Sequence, residues 1–232
     1  MTLDIHRIKA LCFDVDGTLS DTDDQWVDKL AGLLAPFRWF FARQDVRPFA
    51  RWLVMGMESP GNIVYNLLDW MRLDDDVARI YSKMARRRAI KQAKKFWLIP
   101  GIREVLIQLS QHYPMAVVSA RDAESTYRFL EQFELTELFQ AIATSQTCEF
   151  TKPYPHPVQW AAEQMGVEPD ECVMIGDTTV DIRAGKLAGA QTIGVLCGFG
   201  QERELRRVGA DLILSSTTCI QSLFLPEQQN QI

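Results

Sequence analysis

From Pro100 onward the chain alternates short apolar runs with amphipathic segments, joined by brief connections. That rhythm is the sign of parallel strands linked by crossover helices, because each element must bury one face against the next. Residues 115–119, 141–144, 172–175 and 192–195 read as strands, with a last one around 211–214. The intervening helices are predicted over 101–111, 122–133, from the proline-rich loop 151–157 to Met165, and over 180–188. In the first of these, Ile102, Val105, Leu106 and Leu109 fall on one face. Residues 8–13 give an earlier buried strand, bounded by a glycine turn and without helical period.

The end of that first strand carries a second signature. In Leu11-Cys12-Phe13-Asp14-Val15-Asp16-Gly17-Thr18-Leu19, two carboxylates stand two residues apart where the apolar run stops. An Asp at the carboxyl end of a strand is held on rigid scaffold and faces the crevice where open α/β sheets place their chemistry. Two such charges repel unless a cation lies between them or one takes up a proton. Alone, the run is also what an ordinary Asp-Gly turn looks like. Three more strand ends carry reactive groups, however. Ser119 closes the strand over 115–118, and Lys152 sits in a loop stiffened by Pro153, Pro155 and Pro157. Gly176-Asp177-Thr178-Thr179-Val180-Asp181 follows the strand over 172–175 and sets Asp181 about one helical turn beyond Asp177.

The stretch from residue 21 to 96 breaks the rhythm. It has helical periodicity and no convincing strand, and it holds Trp26, Trp39, Trp52 and Trp70, read as a small core of its own. Lying between the first strand and the resumed alternation, it is most economically an inserted helical domain. The domains are then a core of residues 1–20 and 97–232 and a cap of residues 21–96, placed as a lid beside Asp14. The basic run Arg86-Arg87-Arg88 reads as a solvated face. The tail 226–231 reads as disordered.

Composition sets the class. With 232 residues, 47% hydrophobic and a net charge of -5, the chain is long enough for a real core, and its charge argues against bulk nucleic-acid binding. No apolar run reaches a membrane span; residues 30–42 are broken by Pro36 and Arg38. Asp4, His6, Arg7 and Lys9 precede only a short apolar run, which is not the pattern of a signal peptide. Cys12, Cys148, Cys172, Cys197 and Cys219 are scattered and mostly within apolar segments, as reduced thiols of a cytoplasmic protein would be. Neither nucleic acid nor a membrane is then an expected partner, and the chain is expected to act as monomer or homodimer.

The ordered set Asp14-x-Asp16-Gly17-Thr18, Ser119, Lys152-Pro153 and Gly176-Asp177-x-x-x-Asp181 resembles the haloacid dehalogenase superfamily. The resemblance implies an α/β fold, a Rossmann-like parallel-sheet core with an inserted helical cap of that family's C1 type. It also implies a Mg²⁺-dependent phosphatase that forms an aspartyl-phosphate. Asp14 would be the nucleophile and Asp16 the general acid and base, with Gly17, Thr18, Ser119 and Lys152 around the phosphate. The Mg²⁺ ligands would be Asp14, the Asp16 backbone carbonyl and Asp177, with Asp181 holding Lys152 or a metal-bound water. Asp16 favours phosphate over halide chemistry, because an alkoxide leaving group needs a proton and a halide does not.

The segments from Lys152-Pro153-Tyr154-Pro155 to Gly194-Val195-Leu196-Cys197-Gly198-Phe199-Gly200 and Gly209-Ala210-Asp211 are similar to the phosphoglycolate phosphatase branch. The implied substrate is phosphoglycolate or a similar phosphorylated acid or sugar. A β-phosphoglucomutase-type mutase would use the same core residues. A catalytically weak binding protein would have no need of Asp16. In one place the chain departs from the family: members often carry Asn after the second-motif Ser or Thr, whereas Ala120 and Arg121 follow Ser119.

Overall fold

A computed structural model describes residues 3–21, 32–35, 39, 46 and 96–225. Along the chain it gives β1 (Ala10–Phe13), α1 (Ile102–Ser110), β2 (Met115–Val118), α2 (Ala123–Gln132), β3 (Ala141–Ala143) and α3 (His156–Met165). There follow β4 (Cys172–Gly176), α4 (Thr179–Ala188), β5 (Gln191–Val195), α5 (Glu202–Arg207), β6 (Leu212–Leu214) and the short α6 (Gln221–Phe224). The six strands form one sheet in the order β3-β2-β1-β4-β5-β6, and every pairing is parallel.

Parallel strands need both faces covered, and period-two alternation supplies two different faces. Leu11 and Phe13 of β1 join Met115, Val117, Ile175 and Ile193 in a bulky layer with Ile102, Leu106 and Leu109 of α1 and Phe129 of α2. Fully burying side chains of this size contributes about 1.5–3 kcal/mol each. Ala10 and Cys12 face the other way with Ala116, Val118 and Met174, against Ala161 and Ala162 of α3 and Ala184 of α4. Small residues let those helices sit close. At Gly185 of α4 even a Cβ would lie 2.7 Å from the Thr192 methyl and 2.8 Å from Met174 Cβ.

The strand order reverses between β1 and β4, so the crevice at a topological switch point opens at their carboxyl ends. Two differences from the sequence expectation are local. The first strand starts at Ala10 rather than Ile8, because residues Ile5–Arg7 form a 3₁₀ turn whose last bond runs from Ile8 N–H to the Ile5 carbonyl. Helix α5 was not expected, since Leu205 is its single buried side chain.

The expected cap at 21–96 lies almost wholly outside the described residues, including Trp26, Trp52, Trp70 and the run at 86–88; so does the tail at 226–231. Trp39 is described, and it is exposed rather than part of a core. The segments flanking the insert pair with each other. Ser20 and Leu98 form an antiparallel bridge, Asp21 N–H donates to the Trp97 carbonyl at 3.0 Å, and Ile99 N–H donates to the Leu19 carbonyl at 3.0 Å.

Candidate active site

The ladder of β1 and β4 continues for one residue past the strand: Asp14 N–H donates to the Ile175 carbonyl at 2.9 Å. The Asp14 side chain therefore leaves the sheet at a fixed point beside β4. Lys152 arrives from the loop before α3, with the Lys152–Pro153 peptide cis. Its ammonium lies 2.5 Å from Asp14 Oδ1 and 2.5 Å from Asp181 Oδ1, and all three side chains are buried. Asp181 is in the first turn of α4, where its Oδ2 accepts from Thr178 N–H at 3.0 Å and from Thr178 Oγ1 at 2.6 Å. Both oxygens of Asp181 thus accept from donors, one from Lys152 and one from Thr178.

Asp177 closes β4. Its Oδ2 accepts from Phe199 N–H at 2.7 Å, and Thr18 Oγ1 donates to its Oδ1 at 3.4 Å. The backbone around it leaves no room for side chains. A Cβ on Gly17, at φ +72°, would lie 2.3 Å from Asp177 Oδ2, and one on Gly198 would lie 2.2 Å from the same atom. Ser119 continues the β2–β3 ladder through its N–H to the Ala143 carbonyl, and its buried Oγ accepts from Arg121 N–H at 3.1 Å. The Asp16 carboxylate is gripped by Arg121, with Nε to Oδ2 at 2.7 Å and Nη2 to Oδ1.

Oxygen atoms of Asp14, Asp177 and Asp181 lie within 4.8 Å of one another. Burial pushes the Asp14 carboxyl up to about 7; Lys152 pulls it down, while Asp181 and Asp16 push it further up. Burial also holds Asp177 well above the usual carboxylate range, helped by Asp181 and Asp14. For Lys152 burial works against the charge, but Asp14 and Asp181 outweigh it, so its pKa is raised. Three buried carboxylates facing one ammonium leave the cluster short of positive charge. An all-oxygen, carboxylate-rich donor set of this kind fits a hard divalent cation, not a soft thiolate-binding metal.

The structure thus brings Asp14, Lys152, Asp177 and Asp181 together, with Gly17 and Thr18 packed against Asp177. Ser119 lies at the same sheet edge and is tied to Asp16 through Arg121. Sequence reasoning missed three contributors: the Phe199 N–H, the Thr178 cap and the Arg121 fork. The departure at Ala120-Arg121 was the one signal that could have found the last.

Comparison with known proteins places the chain in a family. The haloacid dehalogenase-like hydrolase profile matches residues 11–195. Pyrophosphatase PpaX of Halalkalibacterium halodurans is 28% identical over 211 residues, covering 90% of this chain and 94% of the relative. Phosphoglycolate phosphatase of Escherichia coli (strain K12) is 25% identical over 252 residues, covering 97% and 96%. Among solved structures, a haloacid dehalogenase-like family hydrolase from Streptococcus pneumoniae superposes with a TM-score of 0.65 at 21% identity, covering 94% of this chain and 99% of that one. With the family profile spanning most of the core and phosphatases among the relatives matched along nearly its whole length, the chain belongs to the haloacid dehalogenase-like hydrolases, as one of their phosphatases.

Proposed function

We propose that this phosphatase is Mg²⁺-dependent and hydrolyses a small phosphate monoester through an aspartyl-phosphate on Asp14, acting in the cytoplasm on a phosphorylated acid or sugar of the phosphoglycolate kind. The observation that carries the reading is the buried cluster Asp14–Lys152–Asp181 beside Asp177, at the carboxyl ends of β1 and β4. A phosphate monoester resists attack because its oxygens are anionic, so the site must supply positive charge and hold a nucleophile in line.

Asp14 attacks phosphorus with one carboxylate oxygen, and the bond from phosphorus to the ester oxygen breaks. Asp16 gives its proton to that leaving oxygen, so an alcohol departs. Asp16 then takes a proton from water, the resulting hydroxyl oxygen bonds to phosphorus, and the bond to Asp14 breaks to release inorganic phosphate. Lys152, held charged by Asp181, offsets the repulsion between Asp14 and the phosphoryl oxygens, which Ser119 and the Gly17-Thr18 turn also contact. A Mg²⁺ held by Asp14, Asp177 and the Asp16 backbone carbonyl would supply the charge neutralisation that the cluster lacks.

Residues 21–96 form the cap in this reading, a helical lid that selects the leaving group. The pairing of its flanks at Ser20 and Leu98, beside Asp14, supports an insert that opens and closes as a unit. The test is phosphate release across a panel of phosphorylated acids and sugars, with Mg²⁺ and with chelator. Release that needs Mg²⁺ and favours phosphorylated acids supports the reading, and release indifferent to chelator overturns the metal role.

A further inference from the structure

We propose that Arg121 is the receptor for a second anionic group on the substrate, which takes the place of the Asp16 carboxylate on its guanidinium; this rests on the phosphatase reading above. The pair spans 105 positions and joins the β2 end to the turn after β1. Both Asp16 oxygens are engaged, one by Nε and one by Nη2. While that fork is closed, both Asp16 oxygens are committed to Arg121, and a leaving group or water reaches the carboxylate more readily once one of the two bonds opens.

The two partners are unequally placed for that opening. The Arg121 guanidinium carbon lies 5.2 Å from the Phe96 ring centre and 5.5 Å from that of Phe129, and both rings are buried. Its backbone N–H is tied to Ser119, and its side chain is 8% exposed against 38% for Asp16. Arg121 is therefore the more firmly held of the two. A guanidinium stays charged at any working pH, and one left buried without an anion is strongly disfavoured. Its shape accepts a carboxylate or a phosphate as a bidentate replacement.

An independent observation points the same way. The third nitrogen, Arg121 Nη1, is buried and has no hydrogen-bond partner among the described residues. A donor in that position is costly unless an acceptor comes to it. A substrate whose leaving group bears a carboxylate or a second phosphate supplies the compensating charge, and one that turns to the Nη1–Nη2 edge also supplies the missing acceptor. A phosphate ester without that second anion opens the fork uncompensated. The substrate class is thus phosphate esters or anhydrides carrying two anionic groups, and Arg121 is a specificity-determining residue.

The test uses the full chain with Mg²⁺ and three kinds of probe: phosphoglycolate and pyrophosphate, which carry a second anion; the methyl ester of phosphoglycolate, which does not; and an aryl phosphate as baseline. Wild type should favour the better of the first two over the methyl ester by about tenfold or more in kcat/KM, the worth of one charge-assisted contact. Arg121→Met, which keeps an apolar stem between the two rings, should erase most of that preference through a higher KM for the doubly anionic probe. Arg121→Lys, which keeps charge without the fork, should restore part of it. A wild type without the preference overturns the proposal, as does an Arg121→Met or Arg121→Lys protein that keeps the full preference or loses activity on all probes equally. If wild type releases no phosphate even from the aryl ester, the phosphatase reading itself falls and takes the proposal with it.

Discussion

The Asp14 carboxylate lies 2.5 Å from the Lys152 ammonium, yet burial and two neighbouring carboxylates raise its pKa to about 7. The unfolded chain releases that proton near the ordinary value of about 4. The folded chain thus binds the proton more tightly, so the stability this group contributes is full below about pH 4 and is lost as pH rises through about 7. Asp14→Asn removes the buried charge while keeping the shape. In chelator it should raise thermal stability more at pH 8 than at pH 5, by up to about 3 kcal/mol, at roughly 1.4 kcal/mol per pH unit over the two units between pH 5 and about 7. The same protein should have no turnover. Equal melting shifts at the two pH values would count against a strained Asp14.

Lys152→Met should have the opposite sign. It leaves the Asp14 and Asp181 carboxylates without their shared cation, and breaking a buried pair in this way costs about 3–5 kcal/mol. Scanning calorimetry in chelator should show the loss, and added Mg²⁺ should recover part of it. A variant as stable as wild type in chelator would mean that the carboxylates do not depend on Lys152.

Gly17 and Gly198 enclose Asp177 so closely that a methyl group at either would overlap its carboxylate. Gly17→Ala also forces an alanine into a positive-φ conformation. Either substitution should displace Asp177, weaken Mg²⁺ binding and cost about 1–3 kcal/mol of stability. Mg²⁺ titration followed by thermal shift checks this. Wild-type Mg²⁺ affinity in both variants would remove Asp177 from the metal role.

The catalytic core was legible because its signals are local. A strand with both faces buried writes a continuous apolar run, as at residues 172–175, and an Asp or Ser at its end is read directly from the sequence. What escaped was set by tertiary contact or by backbone. Phe199 reaches Asp177 through an N–H that any residue type would offer. The Arg121 fork depends on β1 and β2 being neighbours, which places residues 105 apart side by side. Helix α5 is short and mostly charged, held by the buried Leu205 and an Arg206–Glu202 pair one turn apart, so it carries almost no hydrophobic period. The cap at 21–96 is legible only as an interruption of the strand and helix rhythm, where the strand pattern stops after Ser20 and resumes near residue 100.

Asp16→Ala should slow hydrolysis of alkyl phosphates by about 10² to 10⁴, the usual worth of a positioned acid or base. Formation of the aspartyl-phosphate should suffer less with an aryl phosphate, whose leaving group needs little protonation. Rapid-quench measurement of that first step with both substrate types checks this. Equal losses would argue that Asp16 is not the leaving-group acid.

In the proposed reaction Asp14 carries the phosphoryl group between substrate and water. That role is tested most directly by acid-quenching the protein during turnover of an aryl phosphate with Mg²⁺ and mapping the modified peptide by mass spectrometry. One phosphoryl group is expected on Asp14, more of it in Asp16→Ala, where water attack is slowed, and none in chelator. Sustained turnover in wild type with Asp14 unmodified in both proteins, or with the phosphoryl group on another residue, would contradict it.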